Sequence, residues 1–453
     1  MLSLKTKFEE AKQEQVFQFY DSLSGNEQAS LNSQLSVIDP IEINEINKAA
    51  HDWKPSESDI NQLPEESQSS TIGQDVKQIE KWRDVGLQAI KDGQVAVLLL
   101  AGGQGTRLGS SAPKGCYDIS LPSHKSLFQL QGERILKLGK NIPWYVMTSG
   151  PTRAPTEKFF KENNYFGLSE SNVIFFEQGT LPCVDFNGKI IMESKSKVSV
   201  APDGNGGVYR ALDEGNILKD MEKRGIKHIH MYCVDNSLVK VADPVFIGFS
   251  VSHKVDIATK VVRKRNADEQ VGLIACRNGH PSVIEYSDIG EELRNAKDSN
   301  GLLKLRAANI VNHYYSIDFL LKSPELAKKM PYHIAKKKIP FADASGATVK
   351  PEKPNGIKFE QFVFDIFAEI PLEKFGCLEV ERSSEFSPVK NGPGSAEDCP
   401  ETARNDLMSE GRTWLLNAGA KSAKPVEISP LVSYSGENLE KYKDQDVTVD
   451  YIN

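Results

Sequence analysis

Leu98-Leu99-Leu100-Ala101-Gly102-Gly103-Gln104-Gly105-Thr106-Arg107-Leu108-Gly109 leads directly into Ser110-Ser111-Ala112-Pro113-Lys114. The run Val95–Leu100 is fully apolar, as expected of a parallel strand buried on both faces. Four glycines then fall within the eight residues from Gly102 to Gly109. Without Cβ atoms, backbone N–H groups can face one point and a ligand can approach the chain closely. At the carboxyl end of a central strand such a loop suits a phosphate or nucleotide. A dinucleotide fingerprint requires GxGxxG opening a helix, with an acid about 20 residues on. Here the spacing is Gly103-x-Gly105-x-x-x-Gly109, Pro113 interrupts it, and Phe128-Gln129 occupy the acidic position. The P-loop pattern GxxxxGK[ST] is absent. Arg107 and Lys114 supply the loop with its own cations, which suits a triphosphate.

Outward from this loop, strand-like runs recur at 144–148, 173–177, 228–234, 256–262, 271–275 and 283–286. Helical patterns at 127–138, 156–164 and 208–224 separate several of them. The alternation predicts a Rossmann-like open α/β sheet, mixed and flanked by helices, of the nucleotidyltransferase type. Leu4, Phe8, Ala11, Val16, Phe19, Tyr20 and Leu23 mark one amphipathic helix, and Ser24-Gly25-Asn26-Glu27 has capping-box form ahead of a second. The stretch 53–75 is polar and reads as a linker. A helix at 401–417 and strand-like pieces at 426–428 and 431–434 suggest a small β-containing C-terminal domain. The expected organisation is an N-terminal helical segment (1–60), a central nucleotidyltransferase domain (61–385) and a small C-terminal domain (386–453).

With 453 residues, 55 basic and 62 acidic, the chain carries a net charge of −7. That argues against non-specific nucleic-acid binding through a basic surface. The longest unbroken apolar run, Val95 to Ala101, is far short of the roughly 20 residues a membrane helix needs. Glu9 and Glu10 leave no room for a secretory or transit segment, and the C-terminal residues match no retention or lipidation tail. Six scattered cysteines without a CxxC favour a reduced, cytoplasmic compartment. No HExxH occurs. His228 and His230, two apart on a strand, read as packed or exposed residues rather than ligands. Cys116 reads as a small buried residue, and Lys336-Lys337-Lys338 and Arg263-Lys264-Arg265 as mainly solvated basic patches, with an electropositive cleft rim that could attract anions as the alternative.

The loop as a whole resembles the LxxGGxGTxxGxxxPK signature of the UDP-sugar pyrophosphorylases, most closely the eukaryotic UDP-N-acetylhexosamine pyrophosphorylases. The resemblance extends through separate blocks from about Phe17 to Ser435. It implies that Ala101, Gly102, Gly103, Gln104 and Lys114 bind nucleotide, with Arg107 and Lys114 catalytic. Gln178, in Phe176-Glu177-Gln178-Gly179, resembles the residue whose amide hydrogen-bonds uracil; a carboxamide both donates and accepts, as an imide edge requires. In Pro202-Asp203-Gly204-Asn205-Gly206-Gly207, Gly204 matches a glycine lying against the nucleotide and Asn205 the residue that contacts the amino sugar.

The same resemblance assigns the Mg²⁺-binding and nucleotide-binding aspartate to Asp235, at the end of the strand 228–234, where a carboxylate can hold Mg²⁺ against phosphate oxygens. Glu285, Tyr286 and Asn309 match sugar-recognition segments, although Ala308 stands where a typical member has glycine. Lys358 and Lys390 match lysines placed on phosphates, Lys390 also counted as catalytic and substrate-binding. The implied reaction joins UTP and N-acetylglucosamine-1-phosphate into UDP-N-acetylglucosamine and pyrophosphate, by in-line attack on the α-phosphorus. Its product is a donor for chitin, N-glycans and glycolipid anchors. A monomer or weak homodimer is expected. The readings left open are a UDP-glucose or broad UDP-sugar pyrophosphorylase, a catalytically silent nucleotide-sugar sensor and, weakened by the loop spacing, a dehydrogenase. N-acetylglucosamine against N-acetylgalactosamine is open as well.

Overall fold

The structure, a computed structural model, describes residues 3–54 and 59–453. The chain divides into two compact units: Met1–Ser56 with Gln178–Arg210 and Ala327–Asp365, and Glu57–Glu177 with Ala211–Leu326 and Ile366–Asn453. These do not coincide with the consecutive segments 1–60, 61–385 and 386–453. Distant stretches are joined by pairing, as where Val184–Asp185 adds to Gly356–Glu360 in the first unit.

Three helices open the first unit: α1 (Leu4–Glu10), α2 (Gly25–Ser36) and α3 (Pro40–Asp52). The capping box at Ser24 is formed, with the Glu27 carboxylate accepting the Ser24 N–H at 2.8 Å. The single helix expected from Leu4 to Leu23 is instead broken after α1, where Lys12 takes φ +56°. Gln13 is the physical reason. Its buried carboxamide donates to Asn44 and to the Gly188 carbonyl, and accepts from the Ile190 N–H, so the chain bends to bring it inward. Phe8, Leu31, Leu35, Ile43 and Ile46 then pack with Val184, Ile190, Ile357 and Phe359 in one core.

The second unit is built on a large mixed sheet. Its strands are β1 (Gln68–Ser70), β2 (Val95–Leu100), β3 (Trp144–Thr148), β4 (Val173–Glu177), β5 (His228–Cys233), β6 (Ile257–Arg263), β7 (Leu273–Arg277), β8 (His280–Ile284), β9 (Ala307–Ser316) and β10 (Phe375–Val380). The main path runs β1-β10-β6-β9-β5-β2-β3-β4, with β7 and β8 leaving from β9. From β5 to β4 the strands are parallel, while β9 is antiparallel to both β5 and β6. The supposed linker is partly woven into this sheet: Ile60–Asn61 pairs with β7 and β1 with β10, while Pro55 to Ser58 lie outside the described residues.

Helices α4 (Val76–Lys91), α5 (Leu127–Leu138), α6 (Gly150–Glu162) and α7 (Pro244–His253) belong to this unit. Helices α4 and α7 touch backbone to backbone: a Cβ on Gly248 would stand 1.7 Å from the Trp82 carbonyl oxygen. The helical run 208–224 is two helices, Val208–Glu214 and Ile217–Lys223, parted at Asn216 with φ +54°. Helix α8 (Pro400–Asn417) begins one residue before the expected 401–417. Residues 431–434 form a turn, not a strand, with Val432 and Ser433 both donating to the Ser429 carbonyl. Among the described residues no helix is long and apolar enough to cross a membrane.

Candidate functional site

Strands β2 and β5 lie side by side in parallel, with Leu100 opposite Cys233. The glycine loop and Asp235 therefore leave the same edge of the sheet, the carboxyl edge where α/β proteins place ligands. The loop doubles back on itself: Gly105 N–H donates to the Ala112 carbonyl at 3.0 Å and Lys114 N–H to the Gly103 carbonyl at 3.2 Å. This return brings the Lys114 ammonium to 3.5 Å from the Asp235 carboxylate. Ser149, just past β3, donates to the Gly102 carbonyl at 2.7 Å and fixes the start of the loop. Ala101 is buried, whereas Gly103, Gln104 and Arg107 are exposed and available to a ligand.

Lys390 sits on the loop after β10 that pairs with the β5 end, where Val389 N–H donates to the Asp235 carbonyl at 2.9 Å. The same loop abuts the glycine loop, since a Cβ on Gly392 would meet the Arg107 carbonyl oxygen at 2.8 Å. Leu108, Leu238 and Val389 share one apolar cluster beneath. Asn309 lies three residues before Asn312, the partner of Tyr232 on β5, and so stands beyond the end of that strand. Asn309 N–H donates to the Gly272 carbonyl at 2.9 Å, and the Glu285 carboxylate lies beside the same glycine. Tyr286 is flanked by cations, with Arg294 donating to its hydroxyl at 2.6 Å and Lys264 at 5.3 Å from its ring centroid. The second unit thus gathers Arg107, Lys114, Asp235 and Lys390, with Glu285 and Tyr286 just past the end of β8 and Asn309 on β9.

The first unit holds the other expected residues. A recess of about 310 Å³ is lined by Pro202, Gly204, Asn205, Lys358, Glu360 and Phe362. Gly204 has φ +89°, and an added Cβ would stand 2.3 Å from the Gln361 carbonyl oxygen, so the fold itself demands glycine. Gln178 Nε2 donates to the Gly204 carbonyl at 2.5 Å, and the Asn205 side-chain Oδ1 accepts the Val363 N–H at 2.9 Å. Each amide is thereby oriented, with its other end left for a ligand.

Phe362, Ser149 and Asn236 were not among the expected site residues. A single aromatic on a loop carries no periodic signal, whereas a serine directly after β3 could have been suspected from its place at the same sheet edge. In the basic cluster 263–265, Arg263 and Arg265 are exposed as expected, paired with Glu379 and Glu397, whereas Lys264 is buried and faces Tyr286. His230 is wholly buried, bonded to Asn312 and to the Ala242 N–H, and burial holds its pKa down at about 4. Cys116 is only half-buried, yet burial pushes its thiol up to about 12, far from a reactive thiolate.

Mg²⁺ usually takes one or two carboxylates and completes its shell with water and substrate phosphate. Asp235 fits that pattern, being partly exposed at the loop edge. Among the described residues no group of three or more metal-ligating side chains forms an all-protein cage.

Residues 44–452 match the family model described as UTP–glucose-1-phosphate uridylyltransferase. The chain is 53% identical to UDP-N-acetylglucosamine pyrophosphorylase of Saccharomyces cerevisiae, covering 98% of this chain and 97% of that protein. It is 42% identical to UDP-N-acetylhexosamine pyrophosphorylase-like protein 1 of Homo sapiens, covering 97% and 94%. The crystal structure of the uridine diphosphate N-acetylglucosamine pyrophosphorylase of Trypanosoma brucei in complex with inhibitor matches over 100% of this chain and 99% of its own, with TM-score 0.85 and 32% identity. With the fold and whole length shared, the chain belongs to the UTP–glucose-1-phosphate uridylyltransferase family and, within it, to the eukaryotic UDP-N-acetylhexosamine pyrophosphorylases.

Proposed function

We propose that this protein transfers the uridylyl group of UTP to N-acetylglucosamine-1-phosphate, releasing pyrophosphate. The observation that carries this reading is the meeting of Lys114 and Asp235 at the end of two adjacent parallel strands, beneath a glycine loop. A phosphate oxygen of the sugar phosphate attacks the α-phosphorus, and the bond to the bridging oxygen of pyrophosphate breaks. Two polyanions must meet while charge builds on the leaving group, so positioning and electrostatic stabilisation provide the catalysis.

The Gly102 to Gly105 backbone and Arg107 hold the departing phosphates. Lys114 neutralises the α-phosphate, and Lys390 and Lys358 bind phosphate oxygens. Gln178 reads the uracil edge, Ala101, Gln104 and Gly204 border the nucleotide, and Asn205 reads the acetamido group. Glu285, Tyr286 and Asn309 orient the sugar. Asp235 would hold Mg²⁺, which when bound supplies positive charge to the phosphates. Six free cysteines among the described residues agree with a reduced, cytoplasmic setting.

A panel of sugar-1-phosphates with UTP and Mg²⁺, read as pyrophosphate release, tests the assignment. Faster release with N-acetylglucosamine-1-phosphate than with glucose-1-phosphate is expected. Preference for glucose-1-phosphate would move the protein to the UDP-glucose enzymes, and no release with any sugar would leave only a sensor.

A further inference from the structure

Asn236 is 4% exposed, too enclosed to meet a substrate, yet its carboxamide makes three hydrogen bonds at one junction. Nδ2 donates to the Glu385 carbonyl at 2.7 Å, while Oδ1 accepts the Ser387 N–H at 3.0 Å and the Leu238 N–H at 3.2 Å. Ser237 beside it donates twice to the Ser387 carbonyl, from its N–H at 3.0 Å and from its hydroxyl at 2.9 Å. Two of Asn236's partners therefore form the root of the segment that leads to Lys390, and Asn236 itself follows Asp235.

The Lys390 side chain has only weak anchors of its own. Its ammonium is 3.8 Å from Asp398 and 5.4 Å from the Phe386 ring centroid, and the side chain is 46% exposed. Where Lys390 reaches is thus set by its backbone, and that backbone is tied to the Asp235 strand end through Asn236, Ser237 and the Val389 N–H. A buried amide satisfied on both ends at such a junction holds two segments in one register.

We infer that Asn236, backed by Ser237, is a positioning residue for uridylyl transfer, fixing Lys390 relative to Asp235; this rests on the function proposed above. Such a residue acts through Lys390, so its loss matters little once Lys390 is gone.

The test is a double-mutant cycle of Asn236→Ala and Lys390→Ala, followed as pyrophosphate release from UTP and N-acetylglucosamine-1-phosphate with Mg²⁺, alongside thermal unfolding. Asn236→Ala is expected to lower kcat about 10- to 100-fold with KM for UTP changed by less than about threefold. In the Lys390→Ala background the same change should cost less than about threefold. Effects that multiply, or a single variant with wild-type kcat, would overturn the inference while leaving the function standing. Should Asn236→Ala not fold, Ser237→Ala replaces it in the cycle, with a drop of about three- to tenfold that vanishes in Lys390→Ala; a persistent or absent drop would be equally fatal. A wild-type protein that releases no pyrophosphate removes the function and this inference together.

Discussion

The Lys114 ammonium lies 3.5 Å from the Asp235 carboxylate, with the two side chains 16% and 22% exposed. The pair joins the return of the glycine loop to the end of β5, and each member balances the other's charge within the protein. Under the proposed function, a phosphate bound to Lys114 would leave the Asp235 carboxylate free to face a cation. Lys114→Ala should therefore lower turnover about 10²-fold or more, with a thermal midpoint close to wild type. Steady-state kinetics beside calorimetry checks this, and wild-type turnover would remove Lys114 from the chemistry.

Asp235→Asn keeps the shape of the side chain and removes its charge. Turnover should fall by about 10²-fold, and the Mg²⁺ concentration for half-maximal rate should rise. Magnesium titration of the purified variant gives both values. An unchanged magnesium requirement would show that the metal is held elsewhere.

Two glycines offer opposite outcomes. A Cβ on Gly103 meets nothing within 4 Å, so Gly103→Ala should leave stability within about 0.5 kcal/mol while raising KM for UTP. Gly204→Ala must instead adopt φ +89° against the Gln361 backbone, and should lose at least about 1–2 kcal/mol of stability. Urea unfolding of the two variants separates a glycine kept for a ligand from one kept for the fold.

Buried histidines set an acid limit on stability. His230 and His313 have pKa values of about 4 and about 3, held there chiefly by burial. As pH falls below the ordinary value near 6.5, the unfolded chain takes up a proton on each while the folded chain does not. Their stabilisation is complete above about pH 6.5 and shrinks below it, by up to about 1.4 kcal/mol per pH unit per histidine, until the folded-state pKa values are reached. Unfolding midpoints between pH 7 and 5 should decline, and less steeply in His313→Gln.

Strands β2, β3 and β4 follow the expected bounds to the residue: β2 and β3 are buried throughout, where a parallel strand is a continuous apolar run, and β4, only partly buried at the sheet edge, still keeps the apolar run Val173–Phe176. The glycine loop was equally legible, its residue types being dictated by local chemistry. The N-terminal helix was not: its apolar spacing was right, but the partners of Gln13 lie as far away as Gly188. Asn236 was invisible for the same reason, since its bonds to Glu385 and Ser387 span about 150 positions. Local pattern reveals which groups could contact a ligand. It does not reveal which groups hold them in place.

Ser387, at the root of the Lys390 loop, donates its hydroxyl to Asp406 on α8 at 2.6 Å. Ala403 and Leu407 of the same helix pack with Leu108 and Val389. A chain clipped ahead of Pro400 would keep every residue named in the chemistry, yet two of its loops would lose their backing. Such a truncation should behave as an active-site lesion, even though it leaves nine residues after Lys390 and removes none of the residues proposed for the chemistry.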